Sequence, residues 1–301
     1  MIDINFYMKV HDLKSELMDG IIKKDKYVFE FFEQNRNKHP IVYNIETTNY
    51  CNMTCGFCPR TTRMTRDLEH MNIEVFKKVV DQISPHSPED LEKWDDFVVN
   101  KYKIKKNEVN ENHFLLNVLA KSVTLHGWGS PFLDLLLPKR IALLTKKGFD
   151  TYFSCNPTNI RVDAAQEMIK NGLTHMKMSI ESVNDEHQIK LRGDKRANFK
   201  KTMEKLNSLL SFKKNNNYKT QIIITMLNQN SEDQDDEYRQ LEEAMNGKDV
   251  YMYLKSRDNQ WNAGKKTKST AIHWSEFCQD PWSSIGIQNS GLISACGRED
   301  Y

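Results

Sequence analysis

The sequence predicts an α/β fold in which six strand–helix units form a partial barrel. Six short apolar runs have strand character, and each of the first five is followed by a stretch of helical composition. This alternation is typical of a parallel sheet covered by helices, and six units are too few to close the usual eight-stranded barrel. The predicted strands are 41–45, 122–126, 150–154, 175–180, 220–226 and 250–254.

The composition favours a globular protein with a compact substrate. The 301 residues are 39% hydrophobic and 10% aromatic, which is too apolar for a disordered chain. Lys and Arg number 43 against 41 Asp and Glu, so the net charge of +2 provides no basic field for nucleic acid or for a membrane surface. No targeting segment and no apolar run of about 20 residues is present. We therefore expect a soluble, cytoplasmic protein.

The chain divides into three predicted regions. Residues 1–40 have apolar residues at helical spacing and form an N-terminal helical segment. Residues 41–257 form the barrel, with an insertion at 84–121 that is rich in Lys, Asn and Glu and is expected to be a solvated helical excursion. A lid or a partner surface is the alternative for the insertion. Residues 258–301 form a linker and a small β-hairpin around Asn289-Ser290-Gly291.

Three of the six cysteines lie within eight residues, directly after the first predicted strand. Cys51, Cys55 and Cys58 cannot pair as disulfides without leaving one over, but they can bind one polynuclear metal centre. A cubane of four irons with only three protein thiolates keeps one iron open for a cofactor or a substrate. A zinc site completed by a histidine such as His70 is the alternative, and three unrelated buried thiols are a second one.

The spacing Cys-x3-Cys-x2-Cys after a first strand, with the aromatic Phe57 before the last cysteine, resembles the radical S-adenosylmethionine (radical SAM) superfamily. The resemblance implies a partial TIM-like (β/α)6 barrel and a [4Fe-4S] cluster on Cys51, Cys55 and Cys58. In that family the open iron binds S-adenosylmethionine (SAM), and one-electron reduction cleaves SAM to methionine and a 5′-deoxyadenosyl radical. The radical then removes a hydrogen atom from an unactivated carbon.

A glycine-rich turn after the second strand is similar to the family's Gly-Gly-Glu-Pro turn, which meets the amino group of SAM. Here it reads Gly127-Trp128-Gly129-Ser130-Pro131, so the glycines and the proline match, but Ser130 replaces the usual glutamate. The resemblance implies that backbone contacts remain, whereas a carboxylate interaction with the ammonium group would be weaker. A tight turn with glycines for geometry alone is the alternative.

Two further strand ends resemble cofactor-binding segments of the family. The third strand leads through Ser154 into Asn156, and the fourth leads through Ser179 into Glu181. By resemblance, Ser179 would face the ribose or the carboxylate of SAM, and Arg192 would bind the methionine carboxylate as a bidentate partner. The alternatives are a strand-end hydroxyl bonded to backbone and a solvated surface charge.

The C-terminal segment resembles the start of a SPASM or twitch extension. Cys278 is followed after the hairpin by a Gly-x4-Cys that ends at Cys296. In relatives such cysteines bind a second, auxiliary iron–sulfur cluster. No cysteine follows Cys296, so we expect a truncated extension, a partial site or two free thiols.

The sequence therefore predicts a radical SAM enzyme of oxidoreductase or epimerase type. Its substrate would be a peptide or protein, or a small sugar-like molecule, and the outcome a dehydrogenation, an epimerisation or a cross-link. A one-electron reductant such as flavodoxin or ferredoxin would supply the electron. The alternative is a non-catalytic iron–sulfur or zinc protein that docks a partner through residues 84–121.

Overall fold

In a computed structural model, which describes residues 1–39, 41–104, 109–229, 233–256 and 279–295, one eight-stranded sheet organises the chain. The strand order is β6-β5-β4-β3-β2-β1-β7-β8, and the sheet does not close. Strands β1 to β6 are parallel to their neighbours, which confirms the predicted partial barrel. The strands are β1 Ile41–Ile45, β2 Ser122–Thr124, β3 Asp150–Cys155, β4 His175–Ser179, β5 Gln221–Leu227, β6 Tyr251–Lys255, β7 Ser284–Ile287 and β8 Ile293–Ser294.

Helices connect the parallel strands and cover the outside of the sheet. The α-helices are α1 Ile4–Met18, α2 Lys26–Asn35, α3 Pro59–Thr62, α4 Ile73–Gln82, α5 Pro88–Tyr102, α6 Glu111–His113, α7 Leu137–Lys146, α8 Val162–Lys170, α9 Asp185–Arg192, α10 Phe199–Asn215, α11 Gln234–Met245 and α12 Asp280–Ser283. A π-helix, Phe114–Leu119, and two 3-10 turns, Pro131–Leu133 and Pro157–Asn159, complete the connections. In the part of the chain that the structure describes, no helix is both long and apolar enough to span a bilayer.

The alternation of side chains along the strands separates an apolar outer face from a mixed inner face. On β4, Met176 and Met178 lie in the main core between sheet and helices, whereas Lys177 and Ser179 point the other way. Because both faces of a barrel strand are covered, these strands read in the sequence as nearly continuous apolar runs. The predicted strand boundaries consequently agree with the structure to within two residues.

The C-terminal hairpin forms where the sequence predicts it, and it also extends the barrel sheet. Strands β7 and β8 pair antiparallel, and Gly291 in the turn has φ +90°, a backbone conformation that favours glycine. Strand β7 also pairs in parallel with β1. The hairpin therefore lies beside the strand that leads into the cysteine loop.

The insertion at 84–121 is packed rather than solvated. Trp94 and Val98 on α5 are buried against Ile4 of α1 in a second core, and the Trp94 indole N–H donates to the Leu116 carbonyl at 2.7 Å. From the π-helix, Phe114 enters the barrel and joins a cluster with aromatic residues of β3 and β6. The expectation of a solvated excursion was wrong, because the charged residues of α5 outnumber the buried stripe of Trp94 and Val98 and obscure it in the sequence.

This packing predicts the stability of two α5 variants. Trp94→Ala removes a fully buried side chain, so we expect the free energy of unfolding to fall by about 3–5 kcal/mol. Val99→Ala, on the exposed side of the same helix, should change it by less than about 0.5 kcal/mol. Urea denaturation followed by circular dichroism measures both, and equal small effects would show that the insertion is solvated.

Candidate functional site at the carboxyl ends of the strands

The loop that carries the three cysteines begins at a fixed point after β1. Asn49 is fully buried, and its side chain donates to the Asp67 carbonyl and accepts from the Glu69 N–H. The Met71 N–H donates to the Thr47 carbonyl at 2.9 Å. These bonds hold residues 47–49 against the segment that precedes α4, so the cysteine loop leaves β1 in a defined direction.

Cys55 is the buried member of the three cysteines, and Cys51 and Cys58 are half-buried. Cys51 Sγ accepts from the Met53 N–H at 3.4 Å, and the Cys58 N–H donates to the Cys55 carbonyl at 3.1 Å. Burial raises the pKa of both Cys51 and Cys58. Neighbouring N–H groups lower the pKa of both thiols, and Arg60 and Arg192 lower that of Cys51. The surroundings of the loop therefore supply donors and positive charge that stabilise thiolates.

The glycine turn after β2 docks directly on the start of the cysteine loop. The Ser130 N–H donates to the Tyr50 carbonyl at 2.7 Å. A Cβ on Gly129 would overlap the Thr48 carbonyl, so only glycine allows this approach of two backbones. The predicted glycine turn therefore lies beside the cysteine loop. It consists of Gly127, Trp128, Gly129 and Ser130.

Glu46, which sequence analysis missed, supplies a carboxylate at this turn. Its Oε1 accepts from the Trp128 N–H at 2.9 Å, and a Cβ on Gly127 would lie 2.5 Å from the same atom. Arg66 donates to both oxygens, at 2.8 and 3.2 Å, and Glu46 is only 3% exposed. The turn thus contains a carboxylate although Ser130 replaces the expected glutamate. The signal in the sequence was a glutamate directly after an apolar strand.

The predicted residues at the ends of β3 and β4 lie side by side. Ser154 Oγ and Ser179 Oγ are 3.4 Å apart. Asn156 Oδ1 accepts from the Thr158 N–H, while its buried Nδ2 has no partner among the described residues. Asn159, another residue not predicted, donates to both Asn52 Oδ1 and Ser130 Oγ. It connects the end of β3 to the cysteine loop and to the glycine turn.

Arg192, at the end of α9, lies between the cysteine loop and β4. Its Nη2 donates to Glu181 Oε1 at 2.6 Å and to the Ser179 carbonyl at 2.9 Å, while Nη1 lies 3.8 Å from Cys55 Sγ. The guanidinium also lies over the Phe57 ring, 5.7 Å from its centroid. The carboxylate that Arg192 binds in this structure is Glu181, and its buried Nε has no partner within the described residues.

Comparison with known proteins agrees with this arrangement. Residues 101–241 match the family model described as the radical SAM superfamily. These 141 residues, slightly less than half of the chain, are therefore similar to the radical SAM superfamily. The matched residues begin after the cysteine loop, so the match gives no information about the cysteines of that loop. Their proposed role is argued from the spacing and the contacts of the loop. A search of curated proteins found no match to this sequence.

Solved structures of low sequence identity share the radical SAM fold of this chain. Streptococcus suis SuiB bound to its precursor peptide SuiA has a TM-score of 0.53 and 13% identity, covering 97% of this chain and 72% of that one. SuiB bound to S-adenosylmethionine has a TM-score of 0.51 and 11% identity, covering 97% and 71%. BtrN in complex with AdoMet and 2-DOIA has a TM-score of only 0.45 and 10% identity, covering 88% of this chain and 76% of that one. The similarity to SuiB shows the fold alone, and that to BtrN supports no conclusion.

Similarity to the radical SAM superfamily implies a [4Fe-4S] cluster and SAM, and the cysteine loop fits such a cluster. Three thiols lie on one short loop, with Arg192 at the buried thiol and N–H donors beside the others. Among the described residues, no three His, Cys, Asp or Glu side chains are grouped to hold a single metal ion. His70, named above as a possible fourth zinc ligand, lies against Tyr50, with the two ring centroids 4.7 Å apart. A four-iron cluster places each cysteine on a different iron, so it does not require the three thiols to converge on one ion.

The remaining cysteines lie elsewhere. Cys155 belongs to the main core on the outer face of β3, and burial raises the pKa of its thiol to about 12. Cys278 and Cys296, predicted for an auxiliary site, lie outside the described residues, as does most of the predicted linker. The structure thus brings together Cys51, Cys55, Cys58, Phe57, the Gly127 turn, Ser154, Asn156, Ser179, Glu181 and Arg192.

Two glycines of this region provide a matched test of the docked turn. Gly129→Ala places a methyl group into the Thr48 carbonyl, so we expect the variant to retain less than about a tenth of the wild-type iron and sulfide after anaerobic reconstitution. Gly56→Ala, within the cysteine loop, meets no atom within 4 Å and should retain wild-type iron. Equal iron content in the two variants would contradict the role assigned to the turn.

Proposed function

We propose that this chain is a radical SAM enzyme that holds a [4Fe-4S] cluster on Cys51, Cys55 and Cys58 and removes a hydrogen atom from an aliphatic carbon of its substrate. The observation that carries the proposal is the placement of this loop. It is fixed to the Gly127 turn and to Arg192, where the carboxyl ends of β1 to β4 meet. Cofactors of barrel and open α/β folds bind at this end of the strands.

When bound, the cluster and SAM supply the electron transfer and the 5′-deoxyadenosyl radical that abstracts the hydrogen atom. The chain's own residues would bind SAM and orient it. The backbone of the glycine turn would bind the amino group of SAM, and the paired hydroxyls of Ser154 and Ser179 would be available to its other polar groups. Asn156 Nδ2 and Arg192 Nε are buried donors with no partner among the described residues, so a polar cofactor that accepts from them would offset their desolvation.

Arg192 would act on the cluster as well as on SAM. A guanidinium beside Cys55 Sγ stabilises the thiolate, and Glu181 fixes the orientation of the guanidinium from the opposite side. A reorientation of Arg192 toward the methionine carboxylate would require a shift away from Glu181. Glu181 would keep its bond from the Leu227 N–H at 2.9 Å in either arrangement.

A peptide or protein is the substrate class that we favour, with a small sugar-like molecule as the alternative. Support comes from SuiB, a structural neighbour that binds a precursor peptide. Dehydrogenation, epimerisation and cross-linking all begin with the same hydrogen abstraction. Cys155 is a poor hydrogen donor for epimerisation, because its thiol packs in the outer core away from the barrel interior.

The proposal includes a flavodoxin-like or ferredoxin-like reductant and a cytoplasmic location, where cysteine clusters stay reduced. It also includes a SPASM or twitch-like segment at 258–301, with Cys278 and Cys296 as candidate ligands of an auxiliary cluster. The alternative is a non-catalytic protein that docks a partner through residues 84–121. Trp94 and Val98 of α5 are buried against α1, and Phe114 and Val118 of the π-helix are buried in the barrel, so these four side chains are not available to a partner.

The cleavage of SAM tests the proposed function directly. With dithionite and SAM under anaerobic conditions, the reconstituted wild type should form 5′-deoxyadenosine. Cys51→Ala, Cys55→Ala and Cys58→Ala should each lower its formation to background, because each removes an iron ligand. Cys155→Ala is the matched control and should retain activity. Absence of 5′-deoxyadenosine from an iron-loaded wild type would contradict the proposal.

Iron content separates one cluster from two. A single cluster gives about four irons per chain, and a second cluster would add as many as four more. The triple variant Cys51→Ala/Cys55→Ala/Cys58→Ala should retain iron only if an auxiliary site exists. If the retained iron disappears when Cys278→Ala and Cys296→Ala are added, these two cysteines bind it. If the triple variant holds almost no iron, the chain has no second cluster.

A further inference from the structure

A buried lysine lies inside the barrel, one layer below the predicted SAM residues. Lys177 is in the middle of β4, two residues before Ser179, and only 6% of its surface is exposed. Its neighbours in the strand, Met176 and Met178, face the outer core, so Lys177 faces the barrel interior. Its register partner on β5 is Ile223, which belongs to the inner aromatic cluster.

The Lys177 ammonium has aromatic neighbours but no anionic partner. Nζ lies 4.8 Å from the centroid of the Phe114 ring and 5.9 Å from that of Tyr152. No side chain that the structure describes forms a hydrogen bond or an ion pair with it. Cation–π contacts compensate a desolvated charge only in part, and a buried cation without a counter-ion is costly.

Charged groups of both signs surround Lys177. Lys255, at the end of β6, is close enough to act on it, and so are Glu111 and Glu181. Glu181 forms an ion pair with Arg192 at 2.6 Å rather than with Lys177. His126 adds no charge at neutral pH, because burial lowers its pKa to about 3. Within the described residues, Lys177 is therefore a buried cation without a counter-ion of its own.

A buried hydroxyl donor lies on the same aromatic ring. The Tyr253 ring centroid is 5.5 Å from that of Phe114, and Tyr253 is only 3% exposed. Its hydroxyl has no hydrogen-bond partner among the described residues. Tyr253 also lines a cavity of about 260 Å³ together with Glu111 and Ser256. The Lys177 cation and the Tyr253 hydroxyl, neither with a hydrogen-bond partner among the described residues, thus lie near one aromatic ring, and the cavity adjoins the tyrosine.

We propose that Lys177 and Tyr253 bind a carboxylate group of the substrate inside the barrel, on the β4 to β6 side and below SAM. The proposal rests on the proposed function in placing the reaction at the mouth of this barrel. A carboxylate has one negative charge, which would pair with the Lys177 ammonium, and two oxygens, which match one ammonium and one hydroxyl donor. An acidic peptide side chain, a peptide carboxyl terminus and a sugar acid share this group.

The ionisation of Lys177 agrees with an anionic occupant. Burial and Lys255 lower the pKa of Lys177 to about 7, while Glu181, Glu111 and Cys155 act in the opposite direction. A bound carboxylate would raise this pKa, so binding near pH 7 should take up a proton. Tyr253 stays a donor throughout this range, since burial raises its pKa well above the usual value.

The test compares an acid with its uncharged isostere. Holoenzyme saturated with SAM and kept without reductant is titrated calorimetrically with N-acetylglutamate and with N-acetylglutamine. We expect the acid to bind at least about tenfold more tightly than the amide, because only the acid forms a charge-assisted bond to Lys177. Equal affinities, or no detectable binding of the acid, would overturn the proposal.

Variants assign the preference to the two residues. Lys177→Met keeps much of the side-chain volume and should abolish the preference for the acid, while the exposed Lys200→Met should keep it. Tyr253→Phe removes one oxygen atom and should lower the affinity for N-acetylglutamate by about threefold or more, without changing the affinity for N-acetylglutamine. If Lys177→Met does not fold, Tyr253→Phe decides, and unchanged affinity for the acid counts against the proposal. A weaker SAM affinity in Lys177→Met, with the acid preference unchanged, would assign the lysine to SAM instead.

Formation of 5′-deoxyadenosine in the same preparations separates the two proposals. A wild type that forms it but shows no preference for the acid would refute the carboxylate site alone. A wild type that prefers the acid through Lys177 but forms no 5′-deoxyadenosine would refute the proposed radical chemistry and leave the carboxylate site in place.

Discussion

The buried carboxylate of Glu46 is the constraint on which the arrangement of this site depends. A carboxylate that is 3% exposed must be satisfied, and its partners come from three separate parts of the chain. They are the Trp128 N–H of the glycine turn, the Arg66 guanidinium, and the Asn289 N–H of the hairpin turn. One side chain at the end of β1 therefore fixes the cysteine loop relative to both sheet neighbours of that strand.

The two-residue period of the strands then decides which side chains can take part in chemistry. Ser154 faces the barrel mouth and contacts Ser179, whereas the next residue, Cys155, packs in the outer core. On β4 the same period places Lys177 inside and the two methionines outside. A shift of one residue in register would exchange these sets, so the strongly apolar outer face also specifies the inner polar groups.

Much of the fold, and the central part of the site, could be predicted from the sequence. The strands were found because each is an apolar run bounded by turn residues, and the three cysteines because their spacing is local. Two contacts were missed, Glu46 with Arg66 and Asn159 with Asn52. Each joins residues that are distant in sequence, and all four residues are of types that are common on protein surfaces. The packing of α5 was missed because its buried stripe is outnumbered by charged residues.

The insertion connects the N-terminal helices to the interior of the barrel. Its α5 helix packs on α1 through Trp94, and the indole of Trp94 bonds to a carbonyl of the π-helix. The same π-helix carries Phe114, whose ring contacts Lys177, Tyr152 and Tyr253. Because π-helices widen a helical turn and are frequent at functional sites, this segment can place an aromatic ring where a regular helix would direct it elsewhere. Through Phe114, the insertion thus forms part of the wall around the proposed carboxylate site, and its packing against α1 fixes the position of that wall.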